Sequence, residues 1–99
     1  MEITAHQLEL PESVRELVRE RAEHLERYFQ RIHRCRVVID GPDGHNRIGG
    51  TYQVHVDLQV PGQLLTVNQK EDHDLTLSIR QAFDAARRQL EDYARKLRG

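Results

Sequence analysis

Six histidines, His6, His24, His33, His45, His55 and His73, are the first residues to test for chemistry, because imidazole is both a common metal ligand and a common general base. A helical zinc site needs two of them four residues apart on one face. No two stand at that spacing here, so scattered surface histidines are the expectation and no metal is implied. Ser13 and Ser78, the candidate nucleophiles, both fall inside predicted helices with no evident base beside them. The glycine-rich stretch 41–50 precedes a strand, not a helix, so it builds no anion-binding helix terminus. There is no nucleophile elbow. The sequence therefore points away from an enzyme, a cofactor or a small-molecule substrate. A site built on His55 and Asp57 is the remaining catalytic or metal-binding option.

The other chemistry-bearing residues are arginines, and their spacing is informative. In the stretch from Asp74 to Arg98, residues Leu75, Ile79, Ala82, Phe83, Ala86, Leu90, Tyr93 and Leu97 recur every three or four positions. At about 100° per residue they share one face, which predicts a long amphipathic helix. Asp74 is its N-cap, and Gly99 closes it after Arg95, Lys96 and Arg98 in the last turn. Opposite the apolar stripe lie Arg80, Arg87, Arg88, Arg95 and Arg98, interrupted by Asp84 and Glu91. A helix that buries one face and shows arginines on the other can cover a sheet and touch a polyanion.

An earlier helix is predicted from about Glu12 to Gln30, entered through Pro11, with Val14, Leu17, Val18, Ala22, Leu25, Tyr28, Phe29 and Ile32 as its stripe. Its outer face mixes arginines with Glu12, Glu16, Glu20, Glu23 and Glu26, and Glu16–Arg19 and Glu23–Arg27 stand at helical contact spacing. That face reads as a solvated lattice of ion pairs. Arg21 differs, since projection places it at the edge of the apolar stripe, where it either snorkels or faces a ligand. Strands are predicted at Met1–Ala5, from Arg34 to Asp40, at Tyr52–Val60 and at Gln63–Gln69, the last two joined by a Pro61-Gly62 turn. The resulting order, β-α-β-β-β-α, predicts a two-layer α/β sandwich: a four-stranded sheet with both helices packed on one face. His55, Asp57, Gln59 and Arg36 then face water on the other.

The chain has 99 residues, 31% of them charged and 37% hydrophobic, which predicts one domain spanning 1–99 with a modest core. No apolar run approaches a membrane span and the start lacks a signal-peptide pattern, so a cytoplasmic protein without a membrane partner is expected. Cys35, the single cysteine, sits in an apolar strand and reads as a buried, inert thiol. Net charge is −1, which weighs against whole-molecule attraction to nucleic acid. Its distribution is uneven, however. Residues 12–36 carry seven arginines against five glutamates, and residues 74–99 six basic groups against four acidic ones. Residues 37–73 carry two basic groups against five acidic. Phosphate binding would thus be local to the helices. The exposed alternation of the clearest strand, Gln53, His55, Asp57 and Gln59, offers no aromatic platform, so RNA contact through helix faces is the surviving version.

One resemblance covers nearly the whole chain. The pattern Ile3-Thr4, then Leu8-Glu9-Leu10, leads into Val14-Arg15-Glu16-Leu17-Val18; Leu25-Glu26-Arg27-Tyr28-Phe29-Gln30-Arg31-Ile32 follows, then Val37-Val38-Ile39, then Asp74-Leu75, Ile79, Asp84 and Arg88-Gln89-Leu90. In order and spacing this resembles the ribosome hibernation-promoting factor family, also called ribosome-associated inhibitors or sigma-54 modulation proteins, in its short form. The resemblance implies a factor that binds the small ribosomal subunit through 16S rRNA in the channel used by messenger and transfer RNA, blocking translation under stress or in stationary phase. By position, Arg21, Arg88, Lys96 and Arg98 match basic positions of the family. With the exposed Arg80, Arg87 and Arg95 they form the candidate RNA-binding set. The chain departs from the family at His24, Ala85, Asp92 and Ala94, where lysine is common, and Arg80 and Arg87 stand on the same exposed arc as replacements. The alternative reading is a divergent protein of the same fold that binds another protein or RNA through the acidic sheet side.

Overall fold

The computed structural model describes residues 1–41, 51–72 and 74–99. The predicted loop beyond Gly41, with His45, lies outside those residues, as does His73. Six elements follow in order: β1 (Glu2–His6), α1 (Glu12–Tyr28), β2 (Arg34–Asp40), β3 (Tyr52–Val60), β4 (Gln63–Asp72) and α2 (Leu75–Leu97). The strands form a single sheet in the order β1-β2-β3-β4. β1 pairs parallel with β2, while β2–β3 and β3–β4 are antiparallel. This is the two-layer α/β sandwich that the β-α-β-β-β-α pattern predicts.

The alternation in the strands explains the layering. Cys35, Val37 and Ile39 of β2 are buried, as are Val54, Val56, Leu58 and Val60 of β3 and Leu65 and Val67 of β4. Against that face α1 places Val18, Ala22 and Leu25, and α2 places Ile79, Ala82, Phe83, Ala86, Leu90 and Tyr93. A fully buried Leu, Ile or Phe contributes about 1.5–3 kcal/mol relative to exposure, so this shared core is the main source of stability. Among the described residues Ser78 is the buried polar exception, and its hydroxyl donates to the Asp74 carbonyl at 3.1 Å.

Local chemistry sets the element ends. The Asp74 carboxylate accepts from the Leu77 amide at 3.1 Å, the N-cap expected of it. Pro11 stands as the N-cap of α1 rather than inside its first turn, and its carbonyl accepts from the amides of Val14 and Arg15. At the β3–β4 turn Gly62 has φ 77°, a left-handed conformation that glycine adopts without strain. A Cβ at Gly41 would stand 2.7 Å from the Gln7 carbonyl oxygen, so the end of β2 needs glycine to pass that backbone.

Three expectations need correction. α1 stops at Tyr28, two residues early, because Phe29 leaves the helix at φ −138° and packs edge-on against Tyr93, ring centroids 5.6 Å apart. β4 runs on to Asp72, beyond Gln69, because its backbone continues the ladder with β3 as far as Tyr52. Tyr28 and Leu97, both placed in apolar stripes, are 39% and 50% exposed, each at the last residue of its helix. Two interactions tie α2 to the hairpin beneath it: the Tyr93 hydroxyl donates to the Pro61 carbonyl at 2.6 Å, and Gln89 Nε2 donates to the Thr66 carbonyl at 2.9 Å.

Candidate nucleic-acid interface

The two helices lie side by side and run in the same direction. Val14 and Leu17 of α1 line an open cleft of about 350 Å³ with Thr76 and Arg80 near the start of α2, and Tyr28 at the end of α1 meets Arg87. The seven candidate cations divide by helical geometry. At 3.6 residues per turn, Arg80, Arg87 and Arg98 fall on one line of α2, on the flank beside α1. Arg88 and Arg95, seven residues apart, form a second line along the outward crest. Lys96 stands roughly 180° from Arg87. It borders a different groove, with Gln63, Leu65, Gln89, Asp92 and Tyr93, on the β4 side. Six of the seven therefore share the continuous surface formed by α1 and the outer half of α2, and Lys96 does not.

Pairing divides them again. Arg87 Nε donates to Glu91 Oε2 at 3.2 Å, and Arg95 is ion-paired with Asp92 one turn before it. Arg80, Arg88, Lys96 and Arg98 are exposed and have no ion-pair partner among the described residues. Arg21 is half-buried on the α2-facing flank of α1, and its Nε is buried without a hydrogen-bond partner. A buried donor left unsatisfied costs about 1–3 kcal/mol, so an acceptor arriving at Arg21 recovers part of that cost.

The pairs expected on α1 are different in the fold. Arg19 reaches back two turns to Glu12 at 3.0 Å instead of pairing with Glu16, and no Glu23–Arg27 bridge forms among the described residues. Glu16 and Glu20 line the cleft with Arg80, which limits how far the basic surface extends toward the start of the helices.

On the opposite sheet face the carboxylates of Glu2 and Asp57 are paired with Arg34 and Arg36. Arg34 Nε donates to Glu2 Oε1 at 2.6 Å, an exposed pair that holds the Glu2 carboxyl below the usual carboxylate range. Asp57 accepts from the Thr66 hydroxyl at 3.2 Å, faces His55 Nε2 at 2.8 Å and has Arg36 at 3.6 Å. His55 and Asp57 are thus members of a paired surface cluster with Arg36 and Thr66. No group of three or more metal-ligating residues occurs among the described residues. Cys35 is buried, and burial pushes its thiol up to about 11, which leaves it protonated and unreactive near neutral pH.

Comparison with known proteins decides the identity of the fold. The model of the family described as sigma 54 modulation protein / S30EA ribosomal protein matches residues 1–98. The chain belongs to this family. Among solved structures, the protein Y N-terminal domain of Thermus thermophilus superposes with a TM-score of 0.71 at 21% identity, covering 93% of this chain and 94% of that one. A ribosomal subunit interface protein from Coxiella burnetii gives a TM-score of 0.77 at 14% identity, covering 95% of this chain and 98% of that one. At such identities the likeness shows the shared sandwich. No curated protein sequence matches the chain. Among the described residues, no helix is long and apolar enough to cross a membrane.

The surface that carries the cations in this S30EA-family chain includes one residue that sequence reasoning assigned elsewhere. Tyr28 was expected in the core, yet its ring is exposed and the Arg87 guanidinium lies over it, 4.9 Å from the centroid. The available signal was its projection, which places it in line with Arg21 at the edge of the stripe rather than among Val18, Ala22 and Leu25.

Proposed function

We propose that this chain is a ribosome-associated translation inhibitor of the hibernation type. In this reading residues 1–99 act as a single cytoplasmic, non-enzymatic domain. It binds the small ribosomal subunit through 16S rRNA and occupies the channel of messenger and transfer RNA with its helix face, under stress or in stationary phase. The observation that carries the proposal is the family match over residues 1–98. The cationic surface of α1 and α2 supports it, because unpaired Arg21, Arg80, Arg88 and Arg98 stand on one face with the neutralised Arg87 and Arg95 among them. Each phosphate met by a free cation releases a counterion, so binding of this kind weakens as salt rises.

The test is co-sedimentation with small ribosomal subunits at low and moderate salt. The wild type is compared with a variant carrying Arg80→Glu, Arg87→Glu and Arg88→Glu. Saturable binding that falls with salt and disappears in the variant supports the proposal. A wild type that stays in the supernatant at low salt would mean that the fold has changed partner.

A further inference from the structure

We infer that Tyr28 and Arg87 form a stacking platform for one unpaired nucleobase, so that the helix face holds single-stranded RNA by a base as well as by phosphates. The inference rests on the ribosome-binding reading above and adds a contact of a different kind to it.

The chain has five aromatic residues. Phe83 and Tyr93 are buried, Phe29 and Tyr52 are half-buried, and Tyr28 alone is exposed. The Tyr28 ring stands at the end of α1 on the flank that faces α2, and its hydroxyl makes no hydrogen bond among the described residues. The Arg87 guanidinium covers it at 4.9 Å, within cation–π range, and Glu91 holds Arg87 Nε at 3.2 Å. The plane is therefore fixed at two points, by the ring and by the carboxylate. The guanidinium's other donors make no further bond among the described residues. A planar cation resting on an aromatic ring is a surface that unstacked bases use in single-stranded RNA, and every base has a π face to offer it.

Its surroundings suit a nucleotide. Arg21 lies seven residues before Tyr28 and so on the same line of α1, with an unpartnered buried Nε, and Arg88 next to Arg87 is unpaired. A base on the platform would bring its flanking phosphates toward these two cations. Neutralisation by Glu91 has a consequence for how the site works. Arg87 contributes little as a point charge, so its share of binding is stacking, which depends weakly on salt, whereas Arg88 contributes through counterion release.

The experiment measures binding of a short labelled single-stranded RNA, the same strand in a blunt duplex, and small ribosomal subunits across a range of salt. The proteins are the full chain as wild type, Tyr28→Leu, Tyr28→Phe and Arg88→Glu. Tyr28→Leu is expected to weaken single-strand binding by on the order of tenfold, the size of one lost base stack, with the salt slope unchanged. Duplex binding and the urea midpoint should stay at wild-type values, and Tyr28→Phe, which keeps the ring, should bind like the wild type. If Tyr28→Leu weakens single strand and duplex equally, or alters neither, the ring only packs and the platform is overturned. Subunit binding lost in Arg88→Glu but untouched in Tyr28→Leu overturns the platform and leaves the ribosome reading standing. A wild type that binds neither subunits nor RNA overturns both.

Discussion

Pairing, more than the number of arginines, should set how strongly this protein responds to salt. Arg88 and Arg95 lie on the same outward line of α2, seven residues apart, and both are exposed. Arg95 is neutralised by Asp92, whereas Arg88 has no partner among the described residues. If the proposed RNA-binding role holds, Arg88→Gln removes about one phosphate contact and makes the slope of log K against log salt shallower by roughly 0.7–0.9. Between 50 and 200 mM salt that is a factor of about three in how steeply affinity falls. Arg95→Gln should change the slope by clearly less, because the ion pair it breaks was already holding the charge. Asp92→Asn should do the opposite, freeing Arg95 and steepening the slope by about the amount that Arg88→Gln removes. Fluorescence titration of labelled 16S rRNA fragments, or sedimentation with small subunits over a salt series, reads all three. If Arg95→Gln flattens the slope as much as Arg88→Gln, the pairing seen in the fold does not govern phosphate contact and the reasoning fails.

Leu90 is fully buried between α2 and the sheet, so Leu90→Ala should cost about 2–5 kcal/mol, seen as a lower urea midpoint with an unchanged m-value. Asp74→Ala removes the carboxylate that caps α2 and should cost about 1 kcal/mol, while Asp74→Ser recovers most of it in thermal melts. For Cys35, burial holds the proton on the folded thiol to about 11, against 9.0 for a thiol in water. Unfolded chains therefore ionise first, and stability is fully present below pH 9 and falls as pH rises from there toward 11. Urea titrations at pH 8 and pH 10 check the sign, and a thiol reagent at pH 8 should label Cys35 only after denaturant is added.

The sequence by itself determined the element types, because they follow from local periodicity. The alternation of Tyr52–Val60 and the three-and-four spacing from Leu75 to Leu97 admit one secondary structure each. Asp74 as cap and Pro61-Gly62 as turn are equally local, set by a carboxylate one turn from free amides and by a residue tolerant of positive φ. The layering followed, since apolar faces of a sheet and two helices must meet. Arg80, Arg87, Arg88, Arg95 and Arg98 were legible as exposed for the same reason.

What only the tertiary structure decided is which of those residues act together. Helical projection cannot say which flank of α2 faces α1, so it could not separate Lys96 from the other cations or bring Arg87 over Tyr28. Nor could it show that Arg19 prefers Glu12, that Asp92 takes Arg95, or that Arg21 Nε is buried without a partner. The end of α1 was beyond reach as well, because Phe29 leaves the helix for an edge-on contact with Tyr93, more than sixty residues away in sequence. Periodicity is a property of neighbours along the chain. Partner choice among exposed charges, and the fate of an aromatic at a helix end, depend on side chains that only folding brings within a few ångströms.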